Sequence, residues 1–168
     1  MHIMKKQLAA TIIICSLPLL FISCVSSILK DAPPVFSKEI KLRAPGSPFV
    51  QTDTSVYPSW KNPKSGNVIA IVSDCDPNSS YSLTSLPSLV ENPLTNIKVA
   101  KEQTITLQSK PALRRVVTAT LDDHDIEVES VSFKRKSCSY VSSLSGKTGT
   151  LDADRAQFEN FNSGFSFE

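Results

Sequence analysis

Apolar positions along this chain follow three rhythms, and each predicts a different element. The segment Asn67-Val68-Ile69-Ala70-Ile71-Val72-Ser73 is a β-branched run, introduced by Ser65-Gly66 and ended by Asp74-Cys75-Asp76-Pro77, which predicts a central and largely buried strand. Ile97–Gln108, Ala112–Leu121, Ile126–Phe133 and Ser139–Leu144 alternate between apolar and polar positions, the rhythm of a strand with unlike faces. The connections between them are too short for a parallel crossover, so the strands should pair antiparallel. Asp122-Asp123-His124-Asp125 reads as one hairpin turn and Lys134-Arg135-Lys136-Ser137 as the next.

Helical spacing occurs twice. Leu83, Leu86, Leu89 and Val90 share a helical face behind a cap at Ser79 or Ser80 and before a stop at Pro93, with Pro87 dividing the helix into two short turns. Near the end, Phe158, Phe161 and Phe165 fall at i, i+3 and i+7, with Asp152 as the expected N-cap and Gly164 marking the helix end. Between Val35 and Pro63 the prolines at 45, 48, 58 and 63 permit one strand, about Phe36–Leu42, and otherwise extended, looping chain. Strands followed by a closing helix predict an α+β domain.

The third rhythm is unbroken. Lys5 and Lys6 precede an uncharged, largely apolar run from Leu8 to Ile22 that ends in Phe21-Ile22-Ser23-Cys24. A basic start, an apolar stretch shorter than a membrane span and a small residue before the cut describe an export signal. Cys24 behind Ser23 is the expected lipidation site. The chain then divides into a signal peptide over 1–23, a Ser/Pro-bearing tether over 24–34 and a single domain over 35–168. Three acyl chains on Cys24 would exceed the two-signal threshold for stable membrane attachment. Val25, rather than an aspartate, follows the cysteine, and this points to the outer membrane.

Removing the leader takes Lys5 and Lys6 with it, so the 18 Lys and Arg fall to 16, level with the 16 acidic residues. No basic face for nucleic acid is indicated. Cys15 leaves with the signal and Cys24 takes lipid, so Cys75 and Cys138 remain as one possible disulfide, the alternative being two buried thiols. A metal site is not expected, since neither cysteine has a CxxC partner and His124 is the sole mature histidine. Asp122, Asp123 and Asp125 lack the glycine and glutamate of a calcium loop and are accounted for by turn chemistry. The five glycines build no phosphate loop, and no cofactor is expected.

Catalysis finds equally little to work with. His124 sits in an expected solvated turn, and no G-x-S-x-G elbow accompanies it, so the chain reads as non-enzymatic. Lys134-Arg135-Lys136, with Arg114 and Arg115 on a neighbouring strand, could face anionic headgroups, or could simply be solvated charge protecting a sheet edge. Tyr57 and Trp60, with Phe158, Phe161 and Phe165, are the candidate lining of a ligand groove, with core packing as the competing role.

Several motifs carry a resemblance when taken together: Trp60-Lys61-Asn62-Pro63-Lys64-Ser65-Gly66-Asn67, Ser73-Asp74-Cys75, the Leu83/Leu86/Leu89 face, Thr118-Ala119-Thr120-Leu121-Asp122, Lys136-Ser137-Cys138-Ser139-Tyr140 and Phe158-Glu159-Asn160-Phe161. Over about Tyr57 to Phe165 the chain resembles a family of small, mostly uncharacterised deltaproteobacterial lipoproteins with a PsbP-like domain. The resemblance implies an antiparallel sheet flanked by helices, a sandwich, and a link to envelope transport systems; it lends no catalytic residues. Ser109-Lys110-Pro111-Ala112-Leu113-Arg114 stands where the family has a glycine-arginine-glutamate segment. The resulting expectation is a lipid-anchored, periplasm-facing envelope protein with a scaffold or accessory role and an envelope protein as partner. The alternative is a carrier that holds a small apolar ligand or lipid between sheet and helices.

Overall fold

The β-branched run becomes strand β4, Val68–Asp74, an interior strand next to the central one of a seven-stranded sheet in a computed structural model that describes residues 36–53 and 56–167. The signal peptide, Cys24 and the tether lie outside the described residues. Of the remaining strands, β1 is Ile40–Lys41, β2 Val50–Gln51, β3 Ser59–Lys61, β5 Thr95–Leu107, β6 Lys110–Leu121, β7 His124–Arg135, β8 Cys138–Lys147 and β9 Ser166–Phe167. The large sheet runs β2-β3-β4-β8-β7-β6-β5, every pair antiparallel, and β1 pairs with β9 separately. Ile97–Gln108 is therefore one strand with register shifts, rather than two.

Hairpin geometry shortens both expected turns, and the β7–β8 loop is only Lys136-Ser137, with Lys134 and Arg135 already paired with Ser139 and Cys138. The β6–β7 loop is only Asp122-Asp123, with φ of 48° and 63°, while His124 and Asp125 already pair with Leu121 and Thr120. Gln108-Ser109 repeats this at the β5–β6 loop, with φ of 49° and 63°. Two-residue loops with positive φ match the right-handed twist of the strands they join, which is why four residues shrink to two. Polar residues carry the left-handed conformation here in place of glycine, the short aspartates at the β6–β7 loop with least cost.

Both faces of the central strands are buried. One face carries Trp60, Ile69, Ile71, Val131, Phe133, Tyr140 and Leu144, and against it packs α2, Arg155–Ser163, with Phe158 and Phe161. The other holds Leu113, Val117, Val128 and Val141 among buried Ser130, Ser132 and Ser143. It is covered by a turn-rich segment bearing fully buried Leu86 and by α1, Ser88–Glu91, which packs on β8. The sheet thus dominates, and "flanked by helices" fits only loosely: there is one nine-residue helix and one single turn among the described residues. Pro87 is the physical reason, since it stands as the N-cap of α1 and has no N–H to continue a helix through it.

The ends also differ from expectation. The strand foreseen over Phe36–Leu42 is ordered as two residues, because Ser37 bonds elsewhere: its N–H donates to Ser73 Oγ at 2.8 Å and its hydroxyl lies 2.9 Å from the Tyr140 hydroxyl. Asp154, rather than Asp152, occupies the N-cap position of α2, after a 3-10 turn over Leu151–Ala153. Gly164 ends the helix, and Phe165 lies beyond it yet remains in the core. Cys75 and Cys138 are joined by a disulfide at the ends of the neighbouring strands β4 and β8.

Candidate functional site

Four of the five rings expected to line a groove instead fill the core. Trp60, Phe158, Phe161 and Phe165 are all buried, with Trp60 edge-on to Phe161 at 5.3 Å and Phe161 edge-on to Phe165 at 4.9 Å. Such edge-to-face contacts are the preferred packing of aromatic rings. Tyr57 stands outside that cluster, half-buried, and burial together with the nearby Asp74 charge pushes its hydroxyl pKa up.

The suspected basic patch is also taken apart. Arg114 and Arg115 are consecutive on β6 and so point to opposite faces, and each is engaged by carboxylates. Arg135 donates to the Leu107 carbonyl at 2.6 Å and lies over the rings of Phe133 and Phe167, 5.7 and 5.2 Å from their centroids. Its burial lowers its pKa, and its contacts are those of a clamp on the small end sheet. His124 is exposed at the mouth of the β6–β7 turn. Among the described residues, no group of three or more His, Cys, Asp and Glu is placed to hold a metal.

Two buried polar constellations remain, both reaching α2. The first surrounds Asp154. Asn62 Nδ2 donates to its Oδ1 at 2.8 Å, while Ser65 Oγ and Asn67 Nδ2 donate to its Oδ2 at 2.5 and 2.8 Å. Asn67 Nδ2 also reaches the Thr150 carbonyl at 3.0 Å, and Thr150 Oγ1 returns a bond to Asn67 Oδ1 at 2.7 Å. These bonds explain the Asn62–Asn67 motif. They tie the β3–β4 turn, where Gly66 takes φ of 80°, to the start of α2, and the carboxylate so engaged makes no capping bond to the helix N–H groups. Gly146 is needed beside this knot, since a Cβ there would lie 1.9 Å from Asn67 Oδ1.

The second constellation lies between α2 and the β5–β6 hairpin. Glu129, 1% exposed, accepts from Arg114 Nε at 2.5 Å and from Arg155 Nε at 2.8 Å, one arginine on each carboxylate oxygen. Arg114 also pairs with Glu159 and Arg155 with Asp152. Burial opposes the Arg114 charge, but its bonds to Glu159 and Glu129 outweigh that and raise its pKa. For Arg155 the bond to Glu129 is the main cause of a raised value. A cleft of about 350 Å³, lined by Lys101, Arg114, Val116, Glu129, Arg155 and Glu159, opens over this cluster.

A neighbouring cleft of about 290 Å³ shares the Glu159 wall. Its apolar side is Ile105, Leu107 and Val131, and Asn162 of α2 lines it as well. Asn162 is 3% exposed; its Oδ1 accepts from Ser142 Oγ, and its Nδ2 has no hydrogen-bond partner among the described residues. On the other flank of α2, Arg43, Pro45, Gly46, Gln157 and Asn160, with buried Phe161, line a larger cleft of about 540 Å³.

Sequence reasoning missed Glu129, Glu159, Asn162 and Asp154. The signals were present: Glu129 has the same strand parity as Val131 and Phe133, and Asn162 follows Phe158 by one helical turn, so both are polar residues at core positions.

No family model matches the chain, and no curated protein sequence matches it. Solved structures do. The PsbP protein of the cyanobacterium Synechocystis sp. PCC 6803, CyanoP, superposes with a TM-score of 0.54 at 9% identity, covering 83% of this chain and 99% of that one. LpqN of Mycobacterium tuberculosis, described as involved in cell envelope biogenesis, gives 0.52 at 13% identity, covering 76% and 82%. At such identities the likeness is one of architecture: this chain has a PsbP-like fold.

Proposed function

We propose that the protein is an exported, lipid-anchored accessory protein of the bacterial cell envelope that works by binding rather than by catalysis. The Cys75–Cys138 disulfide carries this reading, because such bonds persist in oxidising compartments and are rare in the cytosol. The leader, with Cys24 behind Ser23, provides the route to that compartment and the anchor. LpqN, which shares the fold, is described in terms of envelope biogenesis. Val25 beside the anchor favours the outer membrane, with the domain facing the periplasm and an envelope protein as its partner.

Membrane fractionation with intact-mass analysis tests the anchor. Wild-type chain should sediment with membranes, carry acyl mass, and gain two hydrogens on reduction. Cys24→Ser should accumulate as an unlipidated precursor. Normal maturation of Cys24→Ser, or a chain that stays in the cytoplasm with both thiols free, overturns the reading.

A second reading, a carrier for a small amphiphilic ligand, is favoured by the pair of clefts beside α2, where Ile105, Leu107 and Val131 adjoin Lys101, Arg114 and Glu159. Ligand sites join apolar walls to a few placed polar groups in this way.

A further inference from the structure

We propose that the outer edge of β5 is a docking site where a partner protein adds an extended, antiparallel segment to the seven-stranded sheet, over residues 101–107, with an apolar side chain in the cleft beside α2 and a carboxylate at Lys101. This rests on the reading of an accessory protein that works by binding, and names the form its partner takes.

β5 is the last strand of the sheet, so half of its backbone groups face no neighbouring strand. The hairpins tell which half. Leu107 and Lys110 flank a two-residue loop, as Leu121 and His124 do, and residues flanking such a loop bond each other. Alternation along the ladder then turns the N–H and C=O of Ile105 and Gln103 toward β6, and those of Thr106, Thr104 and Glu102 outward. Pro111 agrees: it stands opposite Thr106, where no bond to β5 is required.

The strand guards one part of this edge and leaves the other open. Register shifts fall between Thr95 and Lys98 and between Val99 and Lys101, and such bulges, with lysines, are how sheets turn away foreign strands. Over residues 101–107 the register is one to one, with neither bulge nor proline. Gln103, Thr104 and Thr106 are exposed there, and the alternation of threonine with Ile105 and Leu107 suits a paired strand.

Side chains complete the site. The cleft of about 290 Å³ lies at this edge, with Ile105, Thr106, Leu107 and Gln108 on one wall and α2 on the other. Directly opposite residues of an antiparallel pair share a face, so a partner side chain opposite Ile105 enters the cleft against Ile105, Leu107 and Val131. Lys101 lines the neighbouring cleft on the same side of the sheet. Neither Lys101 nor Lys98 takes part in an ion pair among the described residues, whereas Glu102 is held by Arg115. The open charge of the edge is therefore positive, and it fits a segment whose apolar positions are followed, toward its C-terminus, by an acidic one. Strand addition draws affinity from main-chain bonds and specificity from pockets for alternate side chains.

The acetylated and amidated peptide Val-Thr-Leu-Thr-Gln-Thr-Glu carries this pattern, with its leucine opposite Ile105 and its glutamate opposite Lys101. Titrated into the full lipidated chain in phospholipid nanodiscs and followed by amide NMR, it should bind saturably. It should slow hydrogen exchange at Thr104 and Thr106 and leave Val50 and Gln51, on the opposite edge of the sheet, unchanged. Methylating the peptide nitrogen opposite Thr104 removes one main-chain bond and should weaken binding at least about tenfold, and lysine in place of the peptide's glutamate about threefold. Thr104→Pro deletes an N–H that points away from β6, so the amides of β6 should stay protected while the peptide loses at least about tenfold in affinity.

Unchanged exchange at Thr104 and Thr106 in millimolar peptide, or a methylated peptide that binds as tightly as the parent, overturns the site. A lysine peptide that binds as well as the glutamate one overturns the acidic partner. Edge amides that become protected as the protein alone is concentrated assign the edge to a second copy, and the proposal falls. Each of these leaves the anchored accessory reading standing, since fractionation and intact mass decide that separately.

Discussion

Two buried side chains at opposite ends of the same helix are treated in opposite ways. Asp154, just before α2, receives bonds from Asn62, Ser65 and Asn67, and nothing around it is left wanting. Asn162, in its last turn, has one amide atom bonded and the other bare among the described residues. Both sit in a low-dielectric interior where an unmade hydrogen bond is expensive. A closed network holds the chain to one structure; an open valence withholds part of that stability.

Asp154 carries the largest expected effect. Asp154→Ala should cost about 2–4 kcal/mol in urea unfolding, because the buried Asn62 amide and the part-buried Ser65 hydroxyl lose their acceptor while Asn67 keeps only the Thr150 carbonyl. A loss below about 1 kcal/mol, the scale of one ordinary hydrogen bond, would show that the knot is not closed as described. Gly146→Ala probes the same network from the outside: Asn67 must move, and the expected loss is about 2 kcal/mol, within the range for overpacking. An unchanged midpoint would mean that Asn67 is not held.

Asn162→Leu should behave differently. Removing the unsatisfied donor offsets the loss of the Ser142 bond, whose hydroxyl can turn to the Val131 carbonyl, so stability should stay within about 1 kcal/mol of the wild-type value. If it costs as much as Asp154→Ala, Asn162 is structural and the contrast disappears.

The smallest effect lies on the opposite face and is one of pH. Burial raises the Glu91 pKa, pairing with Arg115 opposes that, and Glu102 adds to it. Between the ordinary value of 4.5 and the raised folded value, the native chain holds a proton that the unfolded chain has released, so stability falls as pH rises through that window. Outside the window this group contributes no slope. Glu91→Gln should flatten the fall in denaturation midpoints across that range, and a slope that persists assigns it to other groups.

Much of the sheet was legible because strands declare themselves locally. Val68–Asp74 and the three hairpins β5 to β8 follow from alternation and short connections, and every boundary lies within a few residues of the one that the pattern predicts. β2 and β3 were not legible, since three ordered residues around Trp60 in a proline-rich stretch carry no period. The helix foreseen over the Leu83–Val90 face was reduced by Pro87 to a turn and α1, a competition the pattern of leucines does not register.

What the chain's own order determined was the type of each element and the parity of each side chain, because those depend on neighbours two to four residues away. What only the folded state decided was partnership. Asn62 and Asp154 are 92 positions apart, Arg114 reaches Glu159 across 45, and neither distance leaves a mark in a local pattern. Register across antiparallel strands brings those groups together. Whether a buried polar atom finds a partner, as at Asp154, or goes without, as at Asn162, is settled by packing in three dimensions, where desolvation makes every unmade bond count.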